Sequence, residues 1–166
     1  ISDDAMRKAV EIHNEVCKII TEIGEFRKKE NPPITGYEFH ILNLVSYVCP
    51  KYLIVDKLRE TLDEVKNREC DDKKNFRARV VVVGSEIDDP DLTKLIEESG
   101  ALIVADRFCF GSFPGRQEII LKDGENVLDS ICRQYLHQSL CPRYVSDEKI
   151  NTRRDFADDL YKYYHA

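Results

Sequence analysis

Apolar residues in the first part of the chain recur every three or four positions, the spacing of one face of an α-helix. The first such repeat covers residues 3–29 and ends at Asn31-Pro32-Pro33, since proline removes a backbone donor and restricts the residue before it. A second helix is predicted to begin at Thr35, which forms the pattern of a capping box with Glu38. Pro50 suits the first turn of a third helix.

The apolar pattern changes in the second half of the chain. Arg79-Val80-Val81-Val82-Val83-Gly84 and Ala101-Leu102-Ile103-Val104-Ala105 are apolar on both faces, which is typical of buried parallel strands. Asp88-Asp89-Pro90 predicts the start of a helix between them, and Gly100 predicts its end. Strand, helix and strand in this order predict a right-handed βαβ unit.

Two more helices are predicted, over residues 125–137 and 147–164. In the last helix we expect these residues to face inward: Ile150, Phe156, Ala157, Leu160 and Tyr161. The elements predict one α/β domain over residues 1–166, with a helical layer (1–75) before an α/β part (76–166). We interpret it as a Rossmann/flavodoxin-like parallel sheet domain with an added N-terminal helical layer. Because two strands make a thin sheet, we expect the natural protein to continue past Ala166 with another strand.

Composition narrows the function classes. The chain has 166 residues, of which 42% are hydrophobic and 34% charged, as in an ordinary soluble domain. Its formal charge of −6 argues against nucleic acid as a partner. The sequence shows neither an apolar run of about 20 residues nor a signal peptide. We therefore expect no membrane contact, a cytoplasmic location and reduced thiols in the six cysteines.

The main candidate site is the stretch after the second predicted strand. Ligands of open α/β sheets bind at the carboxyl ends of strands, where Asp106 and Cys109 are expected. A Cys109 thiolate could bind an iron–sulfur cluster or line a substrate pocket, with Gly111 allowing close backbone approach. Alternatively, Cys109 is a loop cysteine packed between Phe108 and Phe110.

Three other sets of polar residues give weaker evidence for a binding site. Arg107 and Arg116 are the cations nearest this stretch and could bind a phosphate of coenzyme A. The segment Gly84-Ser85-Glu86-Ile87-Asp88-Asp89 matches neither the dinucleotide-binding nor the P-loop pattern. Cys132, His137 and Cys141 have no standard zinc spacing, and we interpret them as two core thiols and a surface histidine.

The order and spacing of several motifs resemble the central part of subunits of the 2-hydroxyacyl-CoA dehydratase / benzoyl-CoA reductase family. The motifs are Ile1-Ser2-Asp3-Asp4, His13-Asn14-Glu15-Val16, Pro32-Pro33-Ile34-Thr35-Gly36-Tyr37-Glu38, Val80-Val81-Val82-Val83-Gly84-Ser85, Asp88-Asp89-Pro90, Ala105-Asp106-Arg107-Phe108-Cys109-Phe110-Gly111-Ser112 and Cys141-Pro142. The resemblance covers nearly the whole chain, and the stretch from Ala105 to Ser112 is the most similar part.

This resemblance implies one subunit of a heterodimeric, oxygen-sensitive lyase built from related Rossmann-like domains. It implies a 4Fe–4S cluster with one iron open to an acyl-CoA thioester, and an ATP-dependent activator protein that delivers an electron. Dehydratases of the family eliminate water through a radical, whereas benzoyl-CoA reductases reduce the aromatic ring.

The resemblance also implies that the principal cluster ligands lie outside this chain. Within it, we expect Cys109 as the metal ligand and Asp106, Arg107 and Ser112 as cofactor-binding residues, with the catalytic residues unknown. By itself, this piece of a larger subunit is expected to be inactive. Two alternatives stay open: a non-catalytic subunit interface built on the helices from Asp3 to Glu69, and a small-molecule or phosphate sensor.

Overall fold

The chain forms a mixed α/β structure that is mostly helical. The computed structural model describes residues 1–69, 76–112, 117–138, 141 and 146–166. The helices are α1 (Asp3–Glu25), α2 (Gly36–Val48), α3 (Lys51–Asn67), α4 (Pro90–Glu98), α5 (Val127–Cys132) and α6 (Asp147–Tyr163). The strands are β1 (Ala78–Val83) and β2 (Ala101–Arg107). A 3₁₀ helix at Phe26–Lys28 extends α1, and a π-helical turn at Arg133–Gln138 extends α5.

Local capping signals fix the starts of two helices, as the sequence predicts. The Thr35 hydroxyl accepts a hydrogen bond from the Glu38 backbone N–H at 3.1 Å, and the Glu38 carboxylate accepts one from the Thr35 N–H at 2.9 Å. This reciprocal pair is the capping box of α2. At the start of α4, the Asp89 carboxylate accepts from the Asp91 N–H at 3.0 Å.

The helical layer has its own apolar core between α1, α3 and the start of α2. Its buried members are Val16, Ile19, Ile20, Ile23, Ile34, Phe39, Val55, Leu58, Leu62 and Val65. Most of these residues belong to the repeats of three and four seen in the sequence, so helical periodicity predicted this core correctly.

The two strands pair in parallel, which confirms that part of the predicted βαβ unit. Their register runs from Ala78 opposite Ala101 to Val83 opposite Arg107, with one irregularity between Val80 and Val81. Strand β2 is buried along nearly its whole length, as predicted. Strand β1 is half-buried at its centre and exposed at both ends, so the prediction that it is buried on both faces is wrong. Among the described residues, β1 has a strand neighbour on one side alone.

Several apolar residues predicted to face inward are exposed. In α6, Ile150, Phe156 and Tyr161 are 46%, 38% and 57% exposed, and no residue of this helix is buried. The helical repeat also predicts that Val48 in α2 and Leu53 in α3 face inward, and both are exposed. Periodicity identifies which residues share a face, whereas burial requires a second element against that face. In the part of the chain that the structure describes, no helix is both long and apolar enough to cross a bilayer.

The buried face of α2 is largely polar, in contrast to the apolar face that the sequence predicts. His40 is buried, and its Nε2 donates to the carbonyl of Ile87 at 3.1 Å, while its Nδ1 lies 3.1 Å from the hydroxyl of buried Thr93. A carbonyl can only accept, so a neutral ring carries its proton on Nε2. The Thr93 hydroxyl beside Nδ1 donates to the carbonyl of Pro90 at 2.8 Å. Asn43 and Ser46 use their buried side chains to bond carbonyls within α2.

Glu97 joins α4 to the start of α2 and to β2. One carboxylate oxygen accepts from the backbone N–H groups of Gly36 at 2.8 Å and Ile103 at 3.1 Å, and the other accepts from Tyr37 at 3.0 Å. Gly36 is required there, because a Cβ at this position would lie 2.3 Å from Ile103. The buried negative charge is thus satisfied by backbone donors, two of them at a helix N-terminus.

We expect Glu97→Gln to lower the free energy of unfolding by about 1–3 kcal/mol. The amide offers one acceptor oxygen where the carboxylate offers two, so the N–H of Gly36 or that of Tyr37 at the start of α2 loses its acceptor. Glu98→Gln is the matched control, because Glu98 is the adjacent residue, is exposed and lies 4.0 Å from Lys94. Chemical denaturation of both variants measures the difference, and equal losses would contradict this account.

Burial lowers the pKa of His40 below its ordinary value of 6.5, against the opposing effect of its bond to Ile87. Folded His40 therefore binds a proton less readily than unfolded His40, so its contribution to stability falls as the pH drops below about 6.5. We therefore expect the unfolding free energy of the native chain to fall as the pH drops below about 6.5, and that of His40→Gln to fall less. Unfolding measured at a series of pH values gives both curves. His165→Gln, at an exposed histidine, is the control and should retain the native pH dependence. If His40→Gln also retains it, His40 is not the source of the pH dependence.

Candidate functional site

The turn that follows β2 lies at the carboxyl ends of both strands. The parallel pairing continues beyond the strands, because the Gly84 N–H donates to the carbonyl of Arg107 at 3.1 Å and the Cys109 N–H donates to the carbonyl of Ser85 at 2.7 Å. Cys109 is half-buried and is not in a disulfide. The backbone thus places Cys109 where open α/β sheets bind ligands.

Asp106 closes this turn from inside. Its carboxylate accepts from the backbone N–H of Ser112 at 2.6 Å, from the Ser112 hydroxyl at 2.8 Å and from Nη1 of Arg27 at 2.8 Å. The side chains of Arg27 and Asp106 are each 3% exposed. A buried carboxylate is stable when it is paired and hydrogen-bonded. Asp106, near the end of β2, is therefore hydrogen-bonded both to Ser112 at the end of the turn and to Arg27 in the helical layer.

The Arg27 guanidinium is enclosed by rings and polar atoms. It lies 3.8 Å from the ring centre of Phe39 and 5.9 Å from that of Tyr164. Its Nη2 donates to the Ser112 hydroxyl at 3.4 Å, while its buried Nε has no hydrogen-bond partner. Burial raises the pKa of the Tyr164 hydroxyl to about 12, so this ring stays neutral beside the cation. Asp106 supplies the countercharge for the buried guanidinium.

Gly111 allows the turn to fold tightly against Asp106. A Cβ at this position would lie 2.2 Å from a carboxylate oxygen of Asp106 and 2.6 Å from the ring of Phe108. The carbonyl of Gly111 accepts from the hydroxyl of Tyr47 at 3.3 Å. This confirms the predicted close approach of the backbone at Gly111, and the partner that it approaches is a carboxylate.

Arg107 packs against α6. Its guanidinium lies 4.7 Å from the ring centre of Phe156 and donates to the carbonyl of Arg153 at 3.3 Å. Burial, followed by the nearby charge of Arg153, lowers the pKa of Arg107. The other cation predicted from the sequence, Arg116, lies outside the described residues.

The described residues do not form an iron–sulfur or other metal site by themselves. Within residues 1–69, 76–112, 117–138, 141 and 146–166, no three His, Cys, Asp or Glu side chains are grouped to hold a metal ion. Cys132 and Cys141 are half-buried, not core residues as predicted, and the side chain of His137 lies outside the described part. Cys109 is thus the one thiol that the structure places at the carboxyl ends of the strands, among the residues that it describes.

Of the predicted residues, the structure brings Asp106 and Ser112 into contact at the two ends of the segment that contains Cys109. The side chain of Arg107 packs against α6. Sequence reasoning missed Arg27, whose side chain joins that turn from 79 residues away. The available signal was weak: an arginine near the end of an amphipathic helix is usually a solvated residue. The pairing of Arg27 with the buried carboxylate of Asp106 is evident only from the tertiary structure.

Comparisons with known proteins bear on the whole chain. The family model described as "2-hydroxyglutaryl-CoA dehydratase, D-component" matches residues 1–166. The chain is 26% identical over 150 residues to the (R)-phenyllactyl-CoA dehydratase beta subunit of Clostridium sporogenes, covering 90% of this chain and 39% of that protein. It is 25% identical over 151 residues to a benzoyl-CoA reductase subunit of Thauera aromatica, covering 90% of this chain and 38% of that protein.

These matches cover the whole chain in the case of the family model, but less than half of each curated relative. The chain spans about two fifths of the length of the curated relatives that it matches. The family model, in contrast, is matched along every residue of the chain. The chain therefore belongs to the 2-hydroxyglutaryl-CoA dehydratase D-component family.

Proposed function

We propose that this chain is a domain of a 2-hydroxyacyl-CoA dehydratase-type subunit, part of a lyase that removes water from an acyl-CoA thioester. The observation that carries the proposal is the family match over residues 1–166. The similarity to a phenyllactyl-CoA dehydratase subunit supports the same reaction class. The turn from Asp106 to Ser112 lies at the carboxyl ends of the strands, where open α/β sheets commonly bind ligands, and this position supports the proposal.

A benzoyl-CoA reductase-type subunit is the second candidate function. The reductase subunit is 25% identical to this chain and the dehydratase subunit 26%, over almost the same length. Both relatives are named for coenzyme A thioesters, so the two candidates share a substrate class and differ in the reaction. Turnover of a 2-hydroxyacyl-CoA against turnover of benzoyl-CoA by the complete enzyme separates them.

Within this function, we propose that Cys109 reaches the pocket of a 4Fe–4S cluster whose principal ligands lie outside this chain. We assign Asp106, Arg107 and Ser112 to the same pocket. The geometry supports an indirect contribution for Asp106 and Ser112, because their polar atoms bond each other and Arg27. The described residues include no group of side chains that could hold a metal ion. We propose that this domain contributes to the shape of the pocket.

The same proposal extends to the setting of the domain. We propose that residues 1–166 form one domain with a Rossmann-like sheet, of which the structure describes two parallel strands. The complete subunit would pair with a second, related subunit, and an ATP-dependent activator would supply electrons in the cytoplasm. Membership of a family described as a dehydratase component supports the pairing.

We expect Cys109→Ala in the complete subunit to lower bound iron or turnover by about 10- to 100-fold, as loss of a ligand or of its close support does. Iron and sulfide per chain after anaerobic reconstitution, together with acyl-CoA turnover, measure the effect. Cys132→Ala is the control, because Cys132 is a half-buried thiol on α5, outside this turn. If Cys109→Ala matches native iron content and turnover, Cys109 has no part in the site.

A further inference from the structure

We infer that Arg27, in the helical layer, is a positioning residue that holds the turn carrying Cys109 in its closed conformation. The inference rests on the proposed function only for its consequence, which is a correctly shaped pocket beside Cys109. The positioning itself concerns residues of this chain and is testable without any cofactor or substrate.

The first step of the argument is the position of Arg27. It lies in the 3₁₀ helix that extends α1, and its guanidinium crosses to the end of β2. There it contacts both residues that close the turn, with Nη1 at 2.8 Å from Asp106 and Nη2 at 3.4 Å from the Ser112 hydroxyl. One side chain of the helical layer thus bonds both ends of the segment that contains Cys109.

The second step concerns what the turn needs from Asp106. The carboxylate receives the backbone N–H and the hydroxyl of Ser112, so its orientation fixes where the turn ends. Gly111 is held against the same carboxylate, where a Cβ has no room. Any rotation of the Asp106 carboxylate therefore moves the backbone two residues after Cys109.

The third step is electrostatic. Asp106 is almost fully buried, and the guanidinium of Arg27 is the cation at its oxygen atom. Without that cation, the carboxylate would be an uncompensated buried charge, and it would either bind a proton or turn toward water. Both responses weaken its two bonds to Ser112. The closed turn consequently depends on a residue of the helical layer.

The fourth step is that the effect should be local. The helical layer has its own apolar core, to which Val16, Ile20 and Leu58 belong. Cys17 lies in this layer and is completely buried, so it reports general opening of the layer. Cys109 and the amides around it report opening of the turn.

The test is Arg27→Met in the protein at its natural length. We would measure amide hydrogen exchange of residues 108–112 and alkylation of each cysteine by iodoacetamide, both resolved by mass spectrometry. Methionine keeps most of the apolar volume beside Phe39 and removes the charge and the donors. We expect exchange in the turn and alkylation of Cys109 to accelerate by at least about tenfold, since a buried pair has lost one partner.

Arg68→Met is the matched control. Arg68 is an arginine of the same layer that bonds the Pro33 carbonyl, Glu38 and Glu64, each at 2.8–2.9 Å. Its loss should destabilise the layer and leave the turn within about twofold of the native rates. Parallel acceleration at Cys17 and Cys109 in Arg27→Met, as expected of a purely structural residue, would overturn the inference. So would native rates in the turn.

Two milder variants keep the test decisive if Arg27→Met does not fold. Arg27→Lys keeps the charge but lacks the fork that reaches both Asp106 and Ser112, and Ser112→Ala keeps the ion pair but removes one hydroxyl bond. In both variants, amide exchange at residues 108–112 should accelerate relative to the native chain, and exchange elsewhere should not. An equal acceleration along the whole chain would reject the positioning role. Iron content of the same proteins is a separate readout: a selective change in the turn with native iron supports the positioning of Cys109 and counts against the proposed cluster pocket.

Discussion

The buried ion pair between Arg27 and Asp106 is the interaction on which the turn after β2 and its link to the helical layer depend. It joins the end of the first helix to the end of the second strand, across 79 residues of sequence. Neither side chain could remain buried and charged without the other, because burial of an unpaired ion costs several kcal/mol. The pair therefore links the helical layer to the sheet, and the turn after β2 closes on the same carboxylate.

A second buried carboxylate connects the same two parts of the chain by other means. Glu97 has backbone N–H groups as partners, at the start of α2 and in β2. Amides at a helix N-terminus stabilise a negative charge without a cation. Together with the neutral ring of His40, Glu97 makes the contact between α2 and α4 a polar one. Its geometry is more specific than that of an apolar contact, since each donor requires an acceptor.

These polar contacts bear directly on the proposed function. The turn with Cys109 lies where the sheet would bind a ligand, and its conformation is set by buried groups that bond one another. The curated relatives that this chain matches are more than twice as long as the chain itself. Under the proposed function, this turn would form one wall of a larger site, and the buried groups around Asp106 would determine its shape.

Local sequence determined the helices, their caps and the parallel strands, because periodicity, proline positions and capping residues act within a few residues. It also located the turn from Asp106 to Ser112, since a strand end followed by glycine is a local signal. Only the tertiary structure decided that Arg27 pairs with Asp106, that Glu97 caps α2 and that much of α6 stays exposed. Such pairings join residues 61 and 79 positions apart and leave no periodic trace, and burial of an apolar face depends on which element lies against it.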